Sequence, residues 1–422
     1  MKKQSLQNFL RTLGPGLLFA STAIGVSHLV QSTRAGSEYG FALLWAIVAA
    51  NVLKFPFFEY GSRYASATGE SLIDGYRKMG RAYLWAYALI TASTMFFVTA
   101  AVGAVTAGFM HQLFGLEGLI DVKVTTLILF IICLLILYFG RYKALDRLIK
   151  VIGTVLLIST LIAVVSTLWR GPVQDEFKFF DAGVLDLSSP AFPFLIALMG
   201  WMPTAVDLSA WNSLWTIARQ KESGYKASLK DTLREFNFGY WLSALLSPCF
   251  MILGAYLVFG SGKSLPSGSE AFAASIIQLY TESIGDWSQL IIGAAAFSIM
   301  FGTSIGVFDG YARSANRVFT LLQKKSDSKI ASRSKSYRWV LVIVGFGALL
   351  IIFQFANSLR ALVDLATAIS FVVAPFIAIA NFSLVLGLKP EARPPKAMRL
   401  LSYLGIAFLS GFSLIYLYSL WL

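Results

Sequence analysis

The sequence predicts an all-α membrane protein of eleven transmembrane helices, built as a 5+5 inverted repeat with one further helix at its end. Three observations carry that reading. A mean hydropathy of +0.68, with 57% of the 422 residues hydrophobic, excludes an ordinary soluble domain. Apolar windows of about 20 residues, the length that crosses a bilayer as a helix, recur along the whole chain. Two of those windows, five spans apart, are broken in the middle.

The first broken window is Gly14 to Gly36, where Gly25, Val26, Ser27 and His28 lower helix propensity at the centre of a span. The second is the sixth window, where Gly200, Pro203 and Asp207 interrupt the run and Pro203 removes a backbone donor near Met202. Irregular backbone at membrane depth persists only where protein packs it or water lines it. Paired breaks at matching places in two halves mark a midplane binding site in a secondary transporter.

In order, the spans fall near residues 15–33, 41–61, 82–111, 124–140, 148–169, 192–217, 236–260, 288–308, 338–356, 361–386 and 400–421. Alternate connections hold 28 Lys and Arg on one side and 6 on the other, with Lys54 inside a span. That bias puts the N-terminus in the cytoplasm and the C-terminus outside, and the expected location is the plasma (inner) membrane. It also assigns the net charge of +13 to inner loops facing anionic lipid rather than to a nucleic-acid surface. The expected division is a cytoplasmic segment 1–13, a first repeat 14–169, an outer loop 170–191, a second repeat 192–386, and a loop with the eleventh helix at 387–422.

Smaller features fit this plan. Met1 to Leu13 is basic and polar and runs directly into the first span, unlike a cleavable signal. Cys133 and Cys249 lie in apolar spans, so no disulfide framework is expected. Residues 324–337 read as a basic linker, and 263–287 as either a solvated loop or a short amphipathic helix on the outer surface. Asp309 and Arg313, four apart, read as a local ion pair, and Lys54 and Glu59 as side chains that snorkel, with Lys54 or Asn212 alternatively an interhelical partner for Asp207. With two distant histidines, no HExxH and no GxSxG nucleophile elbow, the chain offers no hydrolytic constellation, and neither an enzyme nor a cofactor is expected.

Several stretches carry a resemblance. GPGLLFAS at 14–21, AGSEYGFALLW at 35–45, GRYKALDRLIKVIG at 140–153 and Met202-Pro203 resemble the Nramp family of proton-coupled divalent-metal transporters, which have the LeuT fold. The resemblance implies that fold and, as cargo, a divalent metal ion. The departures fall on functional positions. The family's Asp-Pro-Gly-Asn in helix one reads Gly25-Val26-Ser27-His28, and its Met-Pro-His in helix six reads Met202-Pro203-Thr204. Helix three of the family carries acids on a proton route, yet between Arg81 and Glu117 this chain has no Asp or Glu.

The candidate substrate site is therefore Gly25, Ser27, His28, Met202, Thr204 and Asp207. Within it, His28, Met202 and Asp207 would supply an imidazole, a thioether and a carboxylate to a borderline-soft metal. Asp207 stands out, because an acid in mid-span is expensive unless paired, hydrated or protonated. A different cargo stays open. Backbone N–H groups freed near Gly25 and Ser27 suit a small organic or anionic solute, with Trp201 and Trp211 as walls. A non-transporting membrane sensor is the third reading, and the oligomeric state is not legible.

Overall fold

A computed structural model describes residues 14–139, 142–174, 176–323, 335–355 and 358–421, and among these every regular element is helical. The first span is two pieces. Helix α1 (Pro15–Ala23) stops, Ile24 and Gly25 are unwound, and a π-helical segment (Ser27–Ser32) leads into α2 (Thr33–Tyr39). The second to fifth spans are α3 (Leu44–Thr68), α5 (Arg81–Leu113), α6 (Val122–Phe139) and α7 (Tyr142–Arg170), with a short α4 (Leu72–Met79) before α5. The sixth is again two pieces, α8 (Ala191–Gly200) and α9 (Leu208–Ser223), joined by unwound backbone. Then come α10 (Leu229–Leu257), a short α11 (Ser269–Ile284), α12 (Gln289–Leu322), α13 (Lys335–Gln354), α14 (Leu359–Leu386) and the final α15 (Lys396–Ser419).

Both breaks fall where the residues demanded them. Seven of the described helices are long and apolar enough to cross a membrane. The split first and sixth spans have no single long helix to offer. Helix α3 carries Lys54, Glu59 and Arg63 along its length, which lowers its hydropathy although it is packed as a span. Several helices outrun their apolar windows, because their polar ends remain helical against protein: α3 continues to Thr68 and α12 to Leu322.

Two short helices lie in what hydropathy reads as connections. Helix α4 is started by a capping box, in which Ser71 accepts from the Asp74 amide while the Asp74 carboxylate accepts from the Ser71 amide. Asp74 also pairs with Arg317, tying α4 to the end of α12. Within 263–287 the helical alternative holds. Helix α11 buries Phe272, Ile276 and Tyr280 against the bundle, and Tyr280 shares a hydrogen bond of 2.8 Å with Thr160 of α7. Of the basic stretch 324–337, residues 324–334 lie outside the described residues.

The packing shows the inverted repeat directly. Helix α1 packs on α9, and the π-helical segment after the break packs on α8, so each half of the first span meets the opposite half of the sixth. Helix α3 meets its counterpart α10, α5 meets α12, and α6 meets α13. The contact of α5 with α14 is matched by that of α12 with α7.

Helix α10 approaches the broken first span so closely that glycines are required. A Cβ on Gly239 would lie 2.1 Å from the Gly16 carbonyl oxygen, and one on Gly254 would lie 2.2 Å from that of Thr33. From the other side, a Cβ on Gly36 would lie 2.0 Å from the Met251 carbonyl oxygen. We expect Gly254→Val to force α2 off α10 and to destabilise the protein by at least the ~1–3 kcal/mol typical of overpacking, measured as a lower melting temperature in detergent. Gly411, with nothing within 4 Å of an added Cβ, serves as the control: Gly411→Ala is expected to melt like the wild type.

Candidate binding site at the two helix breaks

Residues from both breaks line one small cavity. Thr22, Val26 and Ser27 come from the first span and Trp201, Thr204 and Ala205 from the sixth, with Thr303 of α12 and Val98 of α5 closing the sides. Its volume is 20 Å³, room for about one water. The lining offers hydroxyls, an indole and apolar groups, and no carboxylate. Gly25 belongs here for a steric reason, since a Cβ on it would lie 2.8 Å from Thr303 Oγ1. Thr303 in turn donates to the Ser21 carbonyl at 3.0 Å, so α12 satisfies backbone just ahead of the first break.

The expected site residues do not converge on that cavity as one set. Ser27 and Thr204 line it. His28 turns instead to α10: its Nε2 is 2.8 Å from the Ser243 carbonyl oxygen and 3.1 Å from Ser247 Oγ, and its Nδ1 is 2.7 Å from Ser27 Oγ. Met202 is fully buried, with Sδ 3.8 Å from Ser32 Oγ, and packs toward the second half of the first span. Asp207 sits at the start of α9, the positive end of that half-helix, beside Thr94 of α5. Among the described residues no group of three or more His, Cys, Asp or Glu side chains comes together as a metal cluster. The two tryptophans also part company. Trp201 lines the cavity and donates to Ser370 at 2.9 Å, whereas Trp211 packs against Gly310 and meets the Tyr311 ring edge-on with centroids 4.5 Å apart.

Lys54 is the residue the sequence reading misplaced. It does not snorkel. It is fully buried, and its ammonium donates to the carbonyl oxygens of Met199, Gly200 and Thr204 at 3.0, 2.9 and 2.9 Å. Those oxygens lie at the end of α8 and inside the sixth-span break, where helical partners are missing. The legible signal was a lone lysine in mid-span, with a break expected elsewhere whose carbonyls needed donors. Glu59 is paired locally instead, accepting from Arg63 Nε at 2.8 Å. Asp309 and Arg313 form the expected pair at 2.6 Å, and Asp309 also accepts from Trp215 at 3.1 Å and from Tyr337 at 2.8 Å.

Polar contacts close the structure on both sides of the cavity. At the start of α2, Arg34 donates to Asp364 of α14 at 2.8 Å and to Gln31 at 3.0 Å, and Gln31 reaches Asp364 at 3.0 Å. At the other end, Glu235 of α10 accepts from the amides of Gly16 at 2.8 Å, Gly14 at 3.0 Å and Leu17 at 3.3 Å, capping the start of α1. A letter match to GxSxG at 302–306 is not a nucleophile elbow, since it lies within α12 and Ser304 Oγ shares a hydrogen bond of 2.8 Å with Thr106.

His28 yields a clean expectation. As a strut between the first span and α10, its replacement in His28→Ala should lower stability by about 1–3 kcal/mol, the cost of leaving buried polar partners unpaired. The affinity for any cargo should stay within a few-fold, checked by thermal melts and binding isotherms on one preparation. Loss of affinity with stability unchanged would instead make His28 a ligand.

Comparison with known proteins places this geometry. An uncharacterised protein of Pasteurella multocida is 34% identical over 417 residues, spanning 99% of this chain and 94% of its own. The manganese transporter of Eremococcus coleocola superposes with a TM-score of 0.69 at 13% identity, covering 96% of this chain and 86% of that one. MhsT, solved in complex with L-phenylalanine, superposes with a TM-score of 0.61 at 14% identity, covering 96% and 98%. The sequence also matches, over residues 16–419, the family described as Natural resistance-associated macrophage protein-like. With its paired helix breaks and crossed half-helices, this chain therefore belongs to the Nramp family and has the LeuT fold.

Proposed function

We propose that this chain is a secondary transporter that exposes the cavity between its two breaks alternately to either side of the membrane, and that its cargo is a divalent metal ion. The observation that carries the transport reading is the crossed arrangement of the half-helices around one small cavity, with polar contacts toward either end of the first span. Rocking of one helix group against the rest opens one closure while the other holds. The metal reading rests on family membership and on the manganese transporter among the structural neighbours. The oxygens at hand for an ion are the hydroxyls of Ser27, Thr204 and Thr303, with the Met202 thioether and the Asp207 carboxylate nearby. One nearby acid leaves most of a divalent charge uncompensated, so binding is weak for this family. The charge bias of the loops puts the N-terminus in the cytoplasm of a plasma-membrane protein, with the C-terminus outside.

One observation favours a second cargo, a small organic or anionic solute. A buried ammonium, that of Lys54, stands at the sixth-span break, and the cavity lining has no carboxylate. The neighbour solved with L-phenylalanine has the same fold.

Uptake into proteoliposomes decides between the cargoes. With labelled Mn²⁺, the metal reading expects saturable uptake that Asp207→Ala abolishes while the variant still folds. Saturable uptake of a labelled carboxylate or of L-phenylalanine, with no Mn²⁺ uptake, establishes the second reading. Binding without uptake of either kind leaves a sensor and removes transport altogether.

A further inference from the structure

We propose that Lys54 is a cation built into the fold: its ammonium fills a carbonyl cradle at the end of α8, so that no transported or coupled ion is bound there. The proposal rests on reading the breaks as the transport site, and it deepens that reading by stating which backbone carbonyls the cargo must leave alone. An ammonium has three protons and no acceptor. Three carbonyl oxygens, of Met199, Gly200 and Thr204, stand 2.9–3.0 Å from this one. A neutral amine has two protons and would turn a lone pair onto the third oxygen, so the arrangement fits the charged form. The cradle itself is one for cations, because the C-terminal end of a half-helix carries partial negative charge and exposed carbonyls coordinate ions at such breaks.

The stem of Lys54 explains why the charge cannot leave. The residue is fully buried on α3, with the ammonium 6.0 Å from the Phe58 ring centroid, and α3 packs against both α8 and α9. Asp207 lies on the far side of the unwound stretch, at the start of α9. The charge at the sixth-span break is thus internal to the fold. A cargo cation must then be held without those three carbonyl oxygens, by side chains such as the hydroxyls of Ser27, Thr204 and Thr303. A cargo anion meets a fixed positive charge behind the break.

Purified protein in detergent tests this without any transport assay, so the result stands apart from the cargo question. Melting temperatures are measured for the wild type, Lys54→Ala and Lys54→Met in choline chloride, in NaCl and in choline chloride with added MnCl₂, at equal ionic strength. The expected wild-type melting temperature is the same in choline chloride and NaCl. Lys54→Ala should melt lower in choline chloride and recover saturably with Na⁺, because the truncated side chain vacates the cradle. Lys54→Met should melt lower and not recover, because the side chain still fills the space. Absence of any cation effect on Lys54→Ala overturns the proposal. So does a saturable rise of the wild type with Na⁺, or with Mn²⁺ if Lys54→Ala abolishes that rise, and this arm needs no variant to fold unless Mn²⁺ acts. A Mn²⁺ effect that persists in both variants supports it, since it places the metal away from the cradle.

Discussion

A helix cut in half inside a bilayer leaves carbonyls and amides that lipid cannot satisfy, and each unsatisfied group costs several kcal/mol. Much of this structure answers that constraint. Lys54 supplies donors to the end of α8 and the sixth-span break. Thr303 supplies one to the Ser21 carbonyl ahead of the first break. Glu235 accepts amides at the buried start of α1. Each of these partners comes from a different helix. The breaks are therefore stable as parts of the bundle and not as local structure.

Close approach is what brings those partners into range. Helix α10 lies against both halves of the first span through Gly16, Gly239, Gly36 and Gly254, and α3 reaches α9 through Gly61, whose added Cβ would lie 2.3 Å from the Ser209 carbonyl oxygen. In lipid there is little hydrophobic drive between helices, so small residues that let backbones meet carry much of the association. The same contacts put His28 within reach of Ser243 and Ser247, which makes its imidazole part of the frame. Residues that look catalytic or ligating by type are, in this chain, largely occupied in holding half-helices in place.

The closures on either side of the cavity differ in chemistry. On one side a charged pair, Arg34 with Asp364, joins α2 to α14, with Gln31 bonded to both. On the other, Glu235 caps α1, while Asp74 with Arg317 ties α4 to α12. Charged contacts between separate helices can be broken and rehydrated when a face opens, whereas an interdigitated apolar contact resists that change. This division suits a molecule in which the centre stays packed and the two faces exchange partners.

The order and number of spans, their breaks and the bias of basic loops were legible because each depends on local composition: apolar length, a proline, a run of small or β-branched residues, a count of lysines and arginines. The GPG and AG stretches and Met202-Pro203 also carried the family. What the side chains do at the breaks was not legible. His28, Met202 and Asp207 share a polar or ligating character and a mid-span position, yet they point to α10, to Ser32 and to Thr94 respectively. Lys54 read as a snorkelling side chain or as a partner for Asp207, although it is the residue that supplies donors to the carbonyls of the sixth-span break. The physical reason is that span composition is set within one helix, whereas the partner of a buried polar group is set by how distant helices cross. Only the tertiary structure decides that.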